Sequence, residues 1–227
     1  MIKFIPDKPA LMIGGREKLL IIADLHLGIV NFPERSVIKE SANLVRDFDP
    51  DGVLILGDVK HDIGMRVKER KEVELLKNEL LKSGVDEDNI ILIRGNHDGG
   101  IDDIIRCESS RGIVIGKYGL FHGHAHPSDE VLQKKYLIFA HIHPAVYIED
   151  VVGGIKKRVW LESEFYLDGE SKRVVVMPAF NELCSSIALN VEKNKLPFRK
   201  RKEKIWDLRN AKAILLDGIV LGKVSDI

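Results

Sequence analysis

Three short apolar runs, Leu19-Leu20-Ile21-Ile22-Ala23, Val53-Leu54-Ile55-Leu56 and Ile90-Ile91-Leu92-Ile93, each lead into residues that can do chemistry. The first delivers Asp24, the second Gly57-Asp58, and the third Gly95-Asn96-His97-Asp98. Continuous apolar runs of this length are what strands buried on both faces look like. From Glu34 onward, Val37, Ser41, Leu44, Val45 and Phe48 recur at helical spacing until Asp49-Pro50-Asp51-Gly52 stops them. Val73, Leu76 and Leu80 mark a second, charged helix from Arg66 to Lys82, stopped at Ser83-Gly84. Strand, loop and helix in succession predict a sheet with helical crossovers, in which ligands gather beyond the carboxyl ends of the strands.

After residue 110 the texture changes to short strands, predicted over 112–121, 136–140, 145–148, 155–161, 173–177 and 213–221. A second sheet packed on the first, with helices outside, accommodates both halves, so the expected class is α/β. A cut in the middle would separate motifs that run from residue 24 to residue 143, and no Pro/Gly/Ser-rich linker or repeat intervenes. Residues 1–227 therefore read as a single domain.

All eight histidines lie in or beside five signatures: Asp24-Leu25-His26, Gly57-Asp58-Val59-Lys60-His61, Gly95-Asn96-His97-Asp98, His122-Gly123-His124 and His141-Ile142-His143. Imidazole mixed with carboxylate and amide oxygen suits borderline divalent metals, and ligands collected from several loops point to a two-metal centre. Asp24 and His26, alternating on an ending strand, should face the same side. Asp58 has two oxygens with which to bridge two cations, although an Asp there also commonly caps a helix. Asn96 offers a neutral oxygen. His97 is aimed differently and could protonate a leaving group, with Asp98 holding its ring; the plain alternative for Asn-His-Asp is a turn. An extended segment would present His122, His124 and His126 on one face, with His122 the expected ligand and His124 a supporting or substrate-binding group. His141 and His143 could serve one metal each.

Lys plus Arg equals Asp plus Glu at 35 each, so no net charge attracts nucleic acid. The run Arg199-Lys200-Arg201-Lys202-Glu203-Lys204, between Pro197-Phe198 and Trp206, is a local exception that reads either as a phosphate contact or as a solvated loop. The N-terminus, broken by prolines and charge, does not read as a signal peptide, and no apolar stretch approaches a membrane span. A cytoplasmic location without membrane contact is the expectation. Cys107 and Cys184 are too few and too far apart in sequence for a thiolate metal site or a disulfide framework, which leaves oxygen and nitrogen ligands and favours manganese, with iron, zinc, nickel or cobalt as alternatives.

Together these signatures resemble the calcineurin-like metallophosphoesterase superfamily, and the resemblance covers most of the chain. It implies a four-layer αββα sandwich with the site at the sheet edges. It implies a first metal on Asp24, His26, Asp58 and His143, a second on Asp58, Asn96, His122 and His141, and His97 as catalytic histidine with Asp98 as its orienting partner. The spacing Gly-Asp-x-x-His looks like the nuclease branch that contains the SbcD proteins, which implies that His61 lies beside the substrate. Leu25-His26-Leu27-Gly28, Phe121-His122-Gly123-His124, His143-Pro144-Ala145-Val146 and Met177-Pro178-Ala179-Phe180-Asn181 look most like the archaeal SbcD-related and DNA ligase-associated phosphoesterases. One departure is Ala140, where the family has glycine, which places the backbone at His141 in question. The resemblance implies hydrolysis of phosphodiesters in nucleic acid, DNA or RNA, with DNA processing or repair, alongside repair partner proteins, as the setting. A small nucleotide or phosphoester is the alternative substrate. A non-catalytic scaffold, as in the retromer subunit of this fold, is disfavoured because every expected ligand is present. An exposed apolar strand could support a homodimer, although no heptad declares one.

Overall fold

The computed structural model describes residues 1–15, 17–30, 35–151, 153–167, 169–192 and 208–227. The basic run 199–204 and its flanking aromatics lie outside the described residues, as does Glu34. The first sheet holds β1 (Ile2–Phe4), β2 (Leu11–Gly14), β3 (Lys18–Ile22), β4 (Gly52–Leu56), β5 (Ile90–Ile93) and β6 (Arg106–Glu108) in that spatial order. β1 to β3 pair antiparallel, and β3 to β6 run parallel. Of the parallel strands, β3, β4 and β5 are the apolar runs of the sequence, and the crossovers that join them are α1 (Arg35–Phe48) and α2 (Val67–Lys82).

The second sheet is built from β7 (Ile113–Ile115), β8 (Tyr118–Leu120), β9 (Tyr136–Phe139), β10 (Pro144–Asp150), β11 (Gly153–Leu167), β12 (Glu170–Val176), β13 (Ile187–Ala188), β14 (Lys212–Leu215) and β15 (Val220–Lys223). Its order is β13-β10-β11-β12-β9-β8-β7, with β14 on β11 and β15 on β14. The strand expected over 112–121 is a hairpin, because Gly116 takes a φ of 56° and turns the chain so that Ile113 pairs with Leu120. Gly218, at φ 94°, likewise lies between β14 and β15, within the run expected as one strand.

Three apolar layers hold these elements. Leu20, Ile22, Val53, Ile55 and Leu92 pack against Val37, Ile38, Leu44 and Val45 of α1 and Val73, Leu76 and Leu80 of α2. Ile21, Leu54 and Ile93 face the opposite way, onto Leu120, Ile138, Trp160 and Val175 of the second sheet. Val159, Leu161, Val174 and Val176 pack outward against Val131 and Leu132 of the short helix α3 (Asp129–Leu132) and against Leu189, Leu208 and Val224. That outer layer is thin in helix. Fully burying each Leu, Ile or Val stabilises by about 1.5–3 kcal/mol, so alternate residues of one strand tie it to both neighbouring layers. The result aligns the carboxyl ends of β3, β4 and β5 with those of the parallel strands β8, β9 and β12.

Candidate metal centre

Six loops leave those strand ends and are stitched together by backbone hydrogen bonds. The loop after β3 runs beside the loop after β4: Asp24 N–H donates to Gly57 O at 3.1 Å, His26 N–H to Asp58 O at 2.9 Å, and Leu27 N–H to Val59 O at 2.9 Å. From the second sheet, Ala140 N–H donates to His122 O at 2.9 Å and Phe180 N–H to Ala23 O at 2.9 Å. Asn181, buried, donates its side-chain amide to Leu25 O at 2.9 Å, which gives the Met177–Asn181 signature a physical role in clamping the Asp24 loop.

The backbone at this junction is strained. Asp24, His26, Asp58, His141 and His143 account for five of the seven described non-glycine residues with positive φ. Left-handed backbone is uncommon for such residues and concentrates where surrounding contacts enforce it for function. Asp24 and His26 therefore reach the centre from a left-handed loop, and not, as their alternation suggested, from one face of an extended strand. Two glycines permit the close approaches. A methyl on Gly57, at φ 79°, would collide with the His122 ring, and a methyl on Gly95 would collide with the Asp58 carboxylate.

Seven imidazole rings gather in two groups. His26 has His97, His143 and His61 at centroid distances of 5.1, 5.2 and 5.5 Å. His122 has His141 at 4.9 Å and His124 at 5.2 Å. His126 is exposed, so the segment from 122 to 126 does not present three rings on one face; it bends at Gly123, whose φ is 121°. Asp58 belongs to both groups, since donor atoms of His26, Asp58 and His97, and of Asp58, His122 and His141, each lie within 4.8 Å of one another. A third set joins His26, His143 and Cys184. The thiol was not expected here; its distance along the chain hid a proximity that the Met177–Asn181 clamp creates.

Each carboxylate spends one oxygen on the backbone and turns the other inward. Asp58 Oδ1 accepts from His97 N–H at 2.9 Å, while Oδ2 lies 3.2 Å from His122 Nε2 and 3.8 Å from His26 Nε2. Asp24 Oδ2 accepts from His141 N–H at 3.1 Å, and Oδ1 lies 3.4 Å from His143 Nε2. The methyl of Ala140 thus leaves His141 at the centre. His122 and His143 donate Nδ1–H to Leu56 O at 2.7 Å and Ser185 O at 2.8 Å, which fixes the tautomer and leaves Nε2 for the centre.

Asp98 does something other than orient His97. Its Oδ1 accepts from Val59 N–H at 2.9 Å, and its Oδ2 from Asp58 N–H at 2.8 Å and Gly95 N–H at 2.7 Å. Both oxygens are committed to fastening the second and third loops, and His97 Nδ1 instead bonds the carbonyl of His61. Asn96 is exposed on the same loop. Lys60, a spacer within its motif at the level of sequence, is buried outright, and its Nζ reaches the carbonyls of His97, Asp62, Ile63 and Gly64.

The charges are mutually dependent. Burial alone would raise the Asp24 carboxyl, but His143 and His122 outweigh it and hold it low. Burial likewise opposes ionisation of Asp58, and the His122 ring and the His97 backbone N–H overcome it. Burial pushes His26 and His141 down to about 4, keeping them neutral and ready to ligate. His122 goes the other way, up to about 9, because Asp58 and Asp24 outweigh its burial; His143 is raised against burial by Asp24. Both nitrogens of His26 are buried without hydrogen-bond partners, and Asp24 Oδ1, His122 Nε2 and His143 Nε2 are buried with only the ion-pair contacts just described. Leaving buried polar atoms unsatisfied costs about 1–3 kcal/mol each, which divalent cations shared among them would remove. The donor set fits such cations.

Residues 17–177 match the model of the calcineurin-like phosphoesterases. The chain belongs to that family. With its two His/Asp clusters, this family member is a metal-dependent phosphoesterase. The crystal structure of the Pseudomonas putida nuclease MPE is similar, with a TM-score of 0.60 and 17% identity over 96% of this chain and 98% of that one. The Escherichia coli phosphoesterase Yfce matches with a TM-score of 0.45 and 16% identity over 90% and 97%. No curated protein matches the sequence. Among the described residues, no helix is long and apolar enough to cross a membrane.

Proposed function

We propose that this phosphoesterase hydrolyses phosphodiester bonds in nucleic acid, as one domain of the SbcD-related, DNA ligase-associated type, and that its setting is DNA processing. The observation that carries the reading is the pairing of His61 with His97: the rings stack at 5.9 Å, and the His61 carbonyl holds His97 Nδ1. Similarity along nearly the whole chain to a protein described as a nuclease supports it.

Asp24, His26, Asp58 and His143 would hold one divalent cation, and Asp58, Asn96, His122 and His141 the other. When bound, the pair supplies charge for the phosphoryl oxygens and lowers the pKa of water from its bulk value toward about 7. The chain's own residues do the rest. Asp58 Oδ2 lies between the two imidazole groups and fixes their spacing. His97 commits Nδ1–H to a carbonyl, so as the imidazolium it would give the proton on Nε2 to the departing alkoxide and be left neutral, with Nδ1–H retained. His61 and His124 flank the two groups and would contact the diester. At the Asn96, His122 and His141 position the ligands are oxygen and nitrogen only, which favours manganese there.

Zero net charge favours the second reading, a small nucleotide substrate. Cleavage of end-labelled single- and double-stranded DNA at 50 and 200 mM salt separates the two. A nuclease contacting several phosphates loses affinity steeply with salt, whereas a small-nucleotide enzyme cleaves a dinucleotide with little salt dependence and leaves DNA intact.

A further inference from the structure

We propose that Cys184 supplies a thiolate to the cation held by His26 and His143, making that position select thiophilic divalent ions such as zinc or cobalt over manganese; this rests on the dinuclear reading above. The Cys184 Sγ and one ring nitrogen of each histidine lie within 4.8 Å of one another. In a tetrahedral site donors on one metal stand about 3.3–3.6 Å apart, so closing on a shared cation needs an inward shift of at most about 1.5 Å. His26 is almost wholly buried, at 6% side-chain exposure, and neither ring nitrogen has a hydrogen-bond partner, so the thiol borders donors that point to a ligand.

The segment carrying Cys184 is held at both ends by the ligand loops. On one side Asn181 N–H donates to Asp24 O at 3.3 Å and its side chain to Leu25 O at 2.9 Å; on the other, Ser185 O accepts from His143 Nδ1 at 2.8 Å. The thiol itself points to Asp24 O, 3.8 Å away. On ligation it would release its proton to solvent and exchange this weak contact for a metal–sulfur bond. Cys184 also lines an open cleft of about 630 Å³ with Arg158, Glu182 and Ser186, so ions and reagents can reach it. Thiolate is a soft donor, which shifts preference away from manganese. Cys107 stands apart on β6, its thiol donating to Ile105 O at 3.2 Å.

The test is to strip the full chain with a chelator, titrate it with cobalt(II), count bound ions by equilibrium dialysis and record the near-ultraviolet spectrum. Two ions per chain are expected, with a thiolate-to-cobalt charge-transfer band that Cys107→Ser keeps and Cys184→Ser loses. The preference for zinc over manganese should fall more than ~10-fold in Cys184→Ser, since even residues outside the ligand set change affinity by that much. Two bound ions without the band in the unmodified chain would overturn the thiolate and leave the dinuclear centre standing. Fewer than two bound ions would remove the centre and the proposal together. If Cys184→Ser does not fold, alkylation of Cys184 by iodoacetamide decides in the unmodified chain: protection by zinc supports the ligand, and unchanged labelling overturns it.

Discussion

Asp58 Oδ2 stands 3.2 Å from His122 Nε2, and both side chains are buried almost completely, at 2% and 0% exposure. Since His122 Nδ1 is tied to Leu56 O and Asp58 Oδ1 to His97 N–H, neither partner can turn away. Asp58→Asn removes the charge at the junction of the two ring groups. Metal content should drop below two ions per chain, and turnover should fall about 100-fold or more, because cation stabilisation of the transferring group is worth several kcal/mol. Metal analysis beside a steady-state assay checks both.

His97→Ala should lower turnover by about 10²–10⁴-fold, the usual contribution of a positioned acid, while metal content stays intact. The loss should be smaller on p-nitrophenyl esters, whose leaving group needs little protonation, than on DNA. Equal losses on both would assign His97 to the metal ligands with which it clusters.

Lys60→Met leaves four backbone carbonyls without their buried cation. Removing one partner of such a buried charged contact costs about 3–5 kcal/mol, and at roughly 2–4 °C per kcal/mol for a chain of this size the melting temperature should fall by about 6–20 °C. Differential scanning calorimetry checks this; an unchanged melting temperature would show that the loop 61–64 is held by other contacts.

Metal binding should strengthen as pH rises. His122, raised to about 9, carries a proton through the neutral range that a cation must displace, and His143 is raised in the same direction by Asp24. For the metal-free chain the sign is the reverse: a histidine raised above 6.5 stabilises the fold below 6.5, and that contribution fades as pH climbs through about 9. Zinc affinity measured at pH 6, 7.5 and 9 should increase at each step, with proton uptake by buffer accompanying each addition.

Much of the centre was legible because buried parallel strands announce themselves as apolar runs, and the residues that follow them must lie at one sheet edge. That logic located Asp24, Asp58 and the Gly95–Asp98 loop. It did not reach the left-handed backbone of Asp24 and His26, which depends on the neighbouring loop's carbonyls rather than on local alternation. Nor did it reach Lys60, whose role appears only once the carbonyls of four residues converge on one ammonium. Adjacency in sequence pairs Asp98 with the His97 ring, while its neighbours in the fold are three backbone amides from two loops. Cys184 lies far from the histidine motifs in sequence, and Asn181 is what closes that distance in the fold. The hairpin of β1 and β2 escaped because it is short and its Met1-to-Gly14 contacts join the sheet edge.

The most direct measurement is hydrolysis of bis-p-nitrophenyl phosphate by metal-stripped chain reconstituted with manganese and zinc, against p-nitrophenyl phosphate and an Asp58→Asn control. Diester hydrolysis that requires added metal, exceeds monoester hydrolysis and disappears in Asp58→Asn is the predicted result. Monoester hydrolysis alone, or diester hydrolysis that survives Asp58→Asn, would contradict the account.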